Sequence, residues 1–83
     1  MDLKNKARVR EFLAELLRSK DDAGEVADSE SLFESGRLDS VAAVEVVVFL
    51  ETEFGLDFSN INFEVALIDS VDQIAALVAE QQA

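Results

Sequence analysis

Between Leu3 and Arg18 the apolar residues Val9, Phe12, Leu13, Leu16 and Leu17 recur at intervals of three and four, with charged residues between them. That spacing predicts an amphipathic helix with one buried face. From Ser19 to Leu38 the pattern lapses. The stretch is polar, contains Gly24 and Gly36, and carries "SLFESG", whose Leu32 and Phe33 are expected to pin it to a core. A connection this long in a small domain is usually functional or tied down by its own side chains.

Segment 40–54, "SVAAVEVVVFLETEF", is ambiguous by propensity, because Val41, Val44, Val46, Val47 and Val48 favour strands. Yet it lacks alternation and is long for a strand, and Glu45, Glu51 and Glu53 fall where a helix would leave them in water. It reads as a helix held by packing, with Gly55 as its C-terminal stop. Residues 61–67, "INFEVAL", are expected to form a short helix. Ser70 to about Gln81 forms the last one, with Val71, Ile74, Ala75 and Val78 inward. The expected fold is all-α: a small antiparallel four-helix bundle of three main helices and a short one, with a long first loop. Residues 1–83 are read as a single domain, near the size at which one core is only just sufficient. The apolar fraction, 49%, is ample for that core and argues against disorder.

Composition narrows the chemistry. There is no cysteine, which removes disulfides, thiolate metal sites and a thiol nucleophile. Histidine is absent too, and with it the commonest side-chain general base. A self-contained catalytic triad or zinc site is not expected. Acidity raises the thought of calcium, but no Asp-x-[Asp/Asn]-x-[Asp/Asn]-Gly run with a distal Glu occurs. The chain is expected to bind, carry or bridge rather than catalyse.

Charge is divided along the chain. Residues 1–20 hold six Lys/Arg against three acids, a net +3, whereas residues 21–83 hold fifteen acids and one base, Arg37, a net −14. Such a surface repels nucleic-acid phosphate and anionic membrane and draws in basic protein surfaces; acidity for solubility alone is the plainer alternative. No run of about 18 apolar residues suggests a membrane span, and the charged N-terminus lacks a signal-peptide pattern, so a cytoplasmic protein is expected.

Three Asp-Ser pairs stand out: Asp28-Ser29, Asp39-Ser40 and Asp69-Ser70. Ser70 opens "SVDQ", a capping box in which its hydroxyl takes the Gln73 amide and the glutamine reaches back. Asp72 adds favourable charge to that first turn. Ser29 sits in an acidic loop where a turn suffices. Ser40 differs, since the residue three on is Ala43 and no capping box forms. Asp39 can serve as N-cap, leaving the Ser40 hydroxyl facing solvent at a helix N-terminus suited to phosphate, with Gly36 upstream to turn the chain. Taken alone this signal is weak.

The following helix strengthens it. Ala43, Val46, Val47, Leu50 and Phe54 form one stripe for the core, while Val41, Val44 and Val48 form a second, flanked by Glu45 and Glu51. An exposed apolar strip rimmed with acid is a usual docking surface. The alternative is that Val41 or Val44 packs against the long loop.

"LFESGRLDSVAAVEVVVFLETEFGLDF" resembles the modification region of acyl carrier proteins, the phosphopantetheine-bearing carriers. The resemblance covers most of the chain and rests on the Gly-x-x-Asp-Ser site, the "LFESG" before it and the helix ending Glu-x-Glu-Phe-Gly. It implies that Ser40, beside Asp39, takes 4′-phosphopantetheine from coenzyme A through a separate phosphopantetheinyl transferase. The thiol of that arm would hold acyl groups, so a chain without cysteine borrows its sulfur. It also implies that Asp39, Val41, Val44, Glu45, Val48 and Glu51 meet the transferase and the basic docking surfaces of acyl-loading and acyl-transfer enzymes. A monomer is expected, with an acyl cavity lined by Val47, Leu50, Phe54, Ile68 and Ala75.

Three positions depart from the pattern: Val41 where leucine is usual, Ala42 where fatty-acid carriers often have an acid, and Phe49 where a small residue is expected. They point to a specialised free-standing carrier for a dedicated pathway, such as polyketide, modified-lipid or aminoacyl chemistry. The competing reading is an unmodified acidic helical module for protein–protein interaction, which would have no need of a serine at 40.

Overall fold

The computed structural model describes residues 3–60 and 64–82. They form three α-helices, α1 (Leu3–Arg18), α2 (Ser40–Phe54) and α3 (Val71–Gln82), with 3₁₀ turns at Phe58–Asn60 and Val65–Ile68. No strand occurs among the described residues. The all-α expectation holds, as do the bounds of α1 and α2, while α3 begins and ends within one residue of the expected positions. The short helix expected over 61–67 is corrected. Residues 61–63 lie outside the described residues, and Val65–Ile68 is a single tight turn, enough to bury Ile68.

The valine-rich α2 is helical because helix geometry alone sends Ala43, Val46 and Leu50 into the core while leaving Glu45 and Glu51 exposed. Ala42 joins them, fully buried, a position the spacing argument did not count. The helix stops at Gly55, whose φ of 68° is the left-handed cap, with its N–H donating to the Glu51 carbonyl at 3.1 Å. Val9, Leu13 and Leu17 of α1 meet Val71, Ile74 and Val78 of α3 in one core, closed by Leu32, Leu38 and Ile68. Between α1 and α2, the Phe12 and Phe49 rings stack at 3.9 Å, and Phe54 meets Phe49 edge-on at 5.8 Å. Arg8 lies over the Phe49 ring, 5.0 Å from its centroid, and donates to Glu53 at 2.8 Å. Phe49, oversized by the family pattern, therefore has a structural partner on α1.

Three long-range devices hold the loop between α1 and α2. The first is Asp69. The Ser31 hydroxyl donates to its carboxylate at 2.6 Å and the Phe33 amide at 2.7 Å, while the Leu32 amide donates to its backbone carbonyl at 2.7 Å. Burial pushes the Asp69 carboxyl up, but the Ser31 hydroxyl and the Phe33, Glu34 and Leu32 amides outweigh it and hold it below its ordinary range. Second, Arg37 reaches back across the loop, pairing with Asp22 at 2.6 Å and with Glu30 at 2.5 Å. At the loop's middle, Asp28 takes Arg10 and Lys6 from α1, and its carbonyl accepts the Asp72 amide of α3 at 2.9 Å.

A depressed carboxyl contributes stability above its unfolded pKa, and that contribution is lost as pH falls through the folded value. For Asp69 the window opens below about pH 4. The Phe33 amide should keep its hydrogen-exchange protection from neutral pH to about 5 and lose it below about 4. Protection factors measured across pH 3–7 check this, and an unchanged value through that window would mean that Asp69 does not hold the loop.

Candidate functional site

The two Asp-Ser-Val triplets divide their labour in opposite ways. At the start of α3, the Ser70 hydroxyl accepts the Gln73 amide at 3.2 Å and lies 3.3 Å from Gln73 Oε1, so the serine is the cap. Ser70 is buried, and its neighbour Asp69 is engaged by the loop. At the start of α2 the roles are exchanged. Asp39, with extended backbone at φ −110°, accepts the Ala42 amide on Oδ1 at 2.9 Å, while its carbonyl accepts the Ala43 amide at 3.1 Å. Ser40 is then the first helical residue, exposed, and its hydroxyl has no hydrogen-bond partner among the described residues. Ser29 is exposed in a turn, as expected for a serine with only a local role.

The electrostatics at Ser40 come from its neighbours. The Ala42 amide is the main cause of a lowered Asp39 pKa, and Lys20, in the turn after α1, and the Asp39 and Val41 amides add to it. Asp39 therefore stays a carboxylate. With the Ala42 and Val41 amides turned to the Asp39 carboxylate, the Ser40 amide is a first-turn donor with no acceptor within the helix, and a helix N-terminus of this kind favours an anion. Gly36, at φ +84°, makes the turn before the site with its N–H donating to the Phe33 carbonyl at 3.1 Å, and a side chain built there would meet nothing within 4 Å. The approach to Ser40 is open. Arg37, three residues before it, turns its guanidinium to Asp22 and Glu30 instead, which pushes its pKa further up and removes it as a ligand for the site.

Below Ser40 the strip read from spacing is on the surface. Val41 and Val44 are each 62% exposed and Val48 53%, so these valines do not pack against the loop. Glu45 and Glu51 are exposed beside them and make no ion pair among the described residues. The five residues expected to line an acyl cavity lie otherwise: Leu50, Ile68 and Ala75 are buried in the core, and Val47 and Phe54 are half-buried. None of them lines the groove beside Phe12 and Phe49 or the groove beside Leu67 and Gln73.

Reasoning from the sequence missed Asp69 and Arg37 as the residues that hold the loop before Ser40. The one signal for Arg37 was its isolation, a single base among fifteen acids. No group of three or more metal-ligating side chains occurs among the described residues, and none of their helices is long and apolar enough to cross a membrane.

Compared with known proteins, residues 7–79 match the family model described as phosphopantetheine attachment site. No curated protein matches the chain, and no solved structure does either.

Proposed function

The chain belongs to the phosphopantetheine-attachment-site family, whose domain is the place of covalent 4′-phosphopantetheine attachment, and on that premise we propose that Ser40 is the residue that carries the arm. Domains of this family are generally non-catalytic carriers that meet a phosphopantetheinyl transferase and biosynthetic enzymes. Here the role is that of an acyl carrier in the cytoplasm, moving acyl groups between enzymes of a fatty-acid, polyketide or related pathway. The antiparallel four-element packing expected of such a carrier accords with three helices around one core.

One observation carries the assignment of Ser40: its hydroxyl is exposed and without a partner because Asp39 caps the helix, while Ser70 is consumed by its own cap. The residues at the site suit the group. In loading, Ser40 Oγ forms a bond to phosphorus of the coenzyme A pyrophosphate, the bond to the nucleotide half breaks, and a phosphodiester remains. Asp39 is a poor base for the hydroxyl, since the helix amides lower its pKa and occupy its carboxylate, so the hydroxyl proton leaves to the transferase. The Ser40 amide, at the N-terminus of α2, would favour the charge of that phosphodiester. When bound, the arm supplies the thiol on which acyl cargo travels. Loading by a broad-specificity transferase with coenzyme A, read as a gain in intact mass, tests the reading, and a chain that never gains the group contradicts it.

Asp39, Val41, Val44, Glu45, Val48 and Glu51 form the recognition face on this reading, an apolar strip between acids for partners with basic docking surfaces. Glu45→Lys or Glu51→Lys should lower kcat/KM for loading about three- to tenfold at low salt, with wild type losing a similar factor when salt is raised. Stopped-time mass measurements at several salt concentrations check this. Rates that ignore both charge and salt would move the docking face elsewhere.

A further inference from the structure

Beside the recognition strip, α2 turns a second apolar side toward α1. Phe12 and Leu16 from α1 and Val48 and Phe49 from α2 line a groove of about 540 Å³, with Glu15, Glu45, Thr52 and Glu53 around its edge. Its floor is the Phe12–Phe49 stack, fixed from one side by Arg8 over the Phe49 ring. One guanidinium nitrogen of Arg8 is buried without a hydrogen bond, 3.9 Å from Glu11. The floor is thus built before anything binds, and little ordering is left for a partner to impose. Val48, 53% exposed, belongs to both the groove and the strip, which makes the two surfaces continuous.

The acids at the edge are not equivalent. Glu53 is paired with Arg8 at 2.8 Å, whereas Glu15 and Glu45 are exposed and make no ion pair among the described residues. Both line the groove, Glu15 from α1 and Glu45 from α2. An apolar floor between two unmatched carboxylates complements one protruding apolar side chain flanked by cations. A second copy of the chain suits it less well, because fifteen of the sixteen charged side chains after residue 20 are acidic.

We propose that the groove between α1 and α2 is a docking pocket for a basic protein partner that inserts a single aromatic or aliphatic side chain against Phe12 and Phe49, between Glu15 and Glu45. The pocket extends the recognition face around α2 onto α1, and in assigning the partner to an enzyme that handles the carrier it rests on the function proposed above. Glu15 and Thr52, which the strip does not contain, become specificity residues.

The test uses the full chain, isotopically labelled, and three synthetic helical peptides. The first carries lysines around one central phenylalanine, the second has alanine in place of the phenylalanine, and the third has glutamates in place of the lysines. The first should shift the amide resonances of Phe12, Glu15, Val48, Phe49 and Thr52, and the other two should bind about tenfold more weakly or worse. Glu15→Lys and Thr52→Arg, both exposed, should each weaken the first peptide at least about fivefold with melting unchanged. Equal binding of all three peptides overturns the proposal, as do shifts confined to Val41 and Val44 or no shifts at all. Groove resonances that move with protein concentration alone would assign the pocket to a second copy. Movement on acyl loading alone would assign it to cargo; either outcome overturns the proposal. Ser40→Ala separates this idea from the carrier reading, since it should bind the first peptide as wild type does. If no variant loads and the peptide still binds, the carrier reading falls and the pocket stands.

Discussion

Ser40→Ala should load no phosphopantetheine and melt where wild type melts, whereas Ser70→Ala should load normally and melt lower. The reason is the exchange of roles between the two Asp-Ser pairs. Removing the Ser40 hydroxyl removes no hydrogen bond, because Asp39 holds the Ala42 amide by itself. The change in stability should stay within about 0.5 kcal/mol, as for a surface substitution away from any specific contact. Removing the Ser70 hydroxyl releases the Gln73 amide at a buried helix start, which costs about 1 kcal/mol. Thermal melts beside intact-mass measurements on both variants check the pair. If Ser40→Ala melts well below wild type, its hydroxyl has a structural duty and the division of labour is wrong.

The largest effect on stability should come from Asp69→Ala. That side chain is 8% exposed and takes the Ser31 hydroxyl and the Phe33 amide, more than thirty residues away in the chain. Hydrogen bonds to a charged acceptor contribute more than neutral ones, and deletion also leaves the Phe33 donor without its partner. The combined loss is about 3 kcal/mol, a large fraction of what a domain of this size possesses. Asp69→Asn should lose less, since its amide oxygen can still accept from Phe33 while its NH₂ cannot accept from Ser31. Urea unfolding of the two variants checks the order. Equal stability of Ala, Asn and wild type would show that Asp69 does not anchor the loop.

The helices were legible because their information is local. Periodicity placed Val9, Leu13 and Leu17 on one side of α1 and Val71, Ile74 and Val78 on one side of α3, and all are buried. In α2 the valines argued for a strand, and spacing was the better guide because burial, rather than propensity, decides a packed helix. The Asp39 cap could be read for the same reason, since donor and acceptor lie three residues apart. What could not be read is long-range. Nothing near Asp69 announces Ser31 and Phe33, nothing near Arg37 announces Asp22, and Phe49 gives no sign of Phe12. The third Asp-Ser pair was half understood: its serine was seen as a cap, but its aspartate passed as a neighbour of that cap and not as the anchor of the loop. Of the residues expected to line an acyl cavity, Leu50, Ile68 and Ala75 are buried in the core.

On this account the second helix begins with an aspartate that caps and a serine that is left available, and family membership supplies the reason for leaving it so. The most direct measurement is fragment mass spectrometry of the wild-type chain after incubation with coenzyme A and a broad-specificity phosphopantetheinyl transferase. The account predicts one added group, on the fragment that contains Ser40. A group on Ser70, on Ser29 or on any other side chain would contradict it.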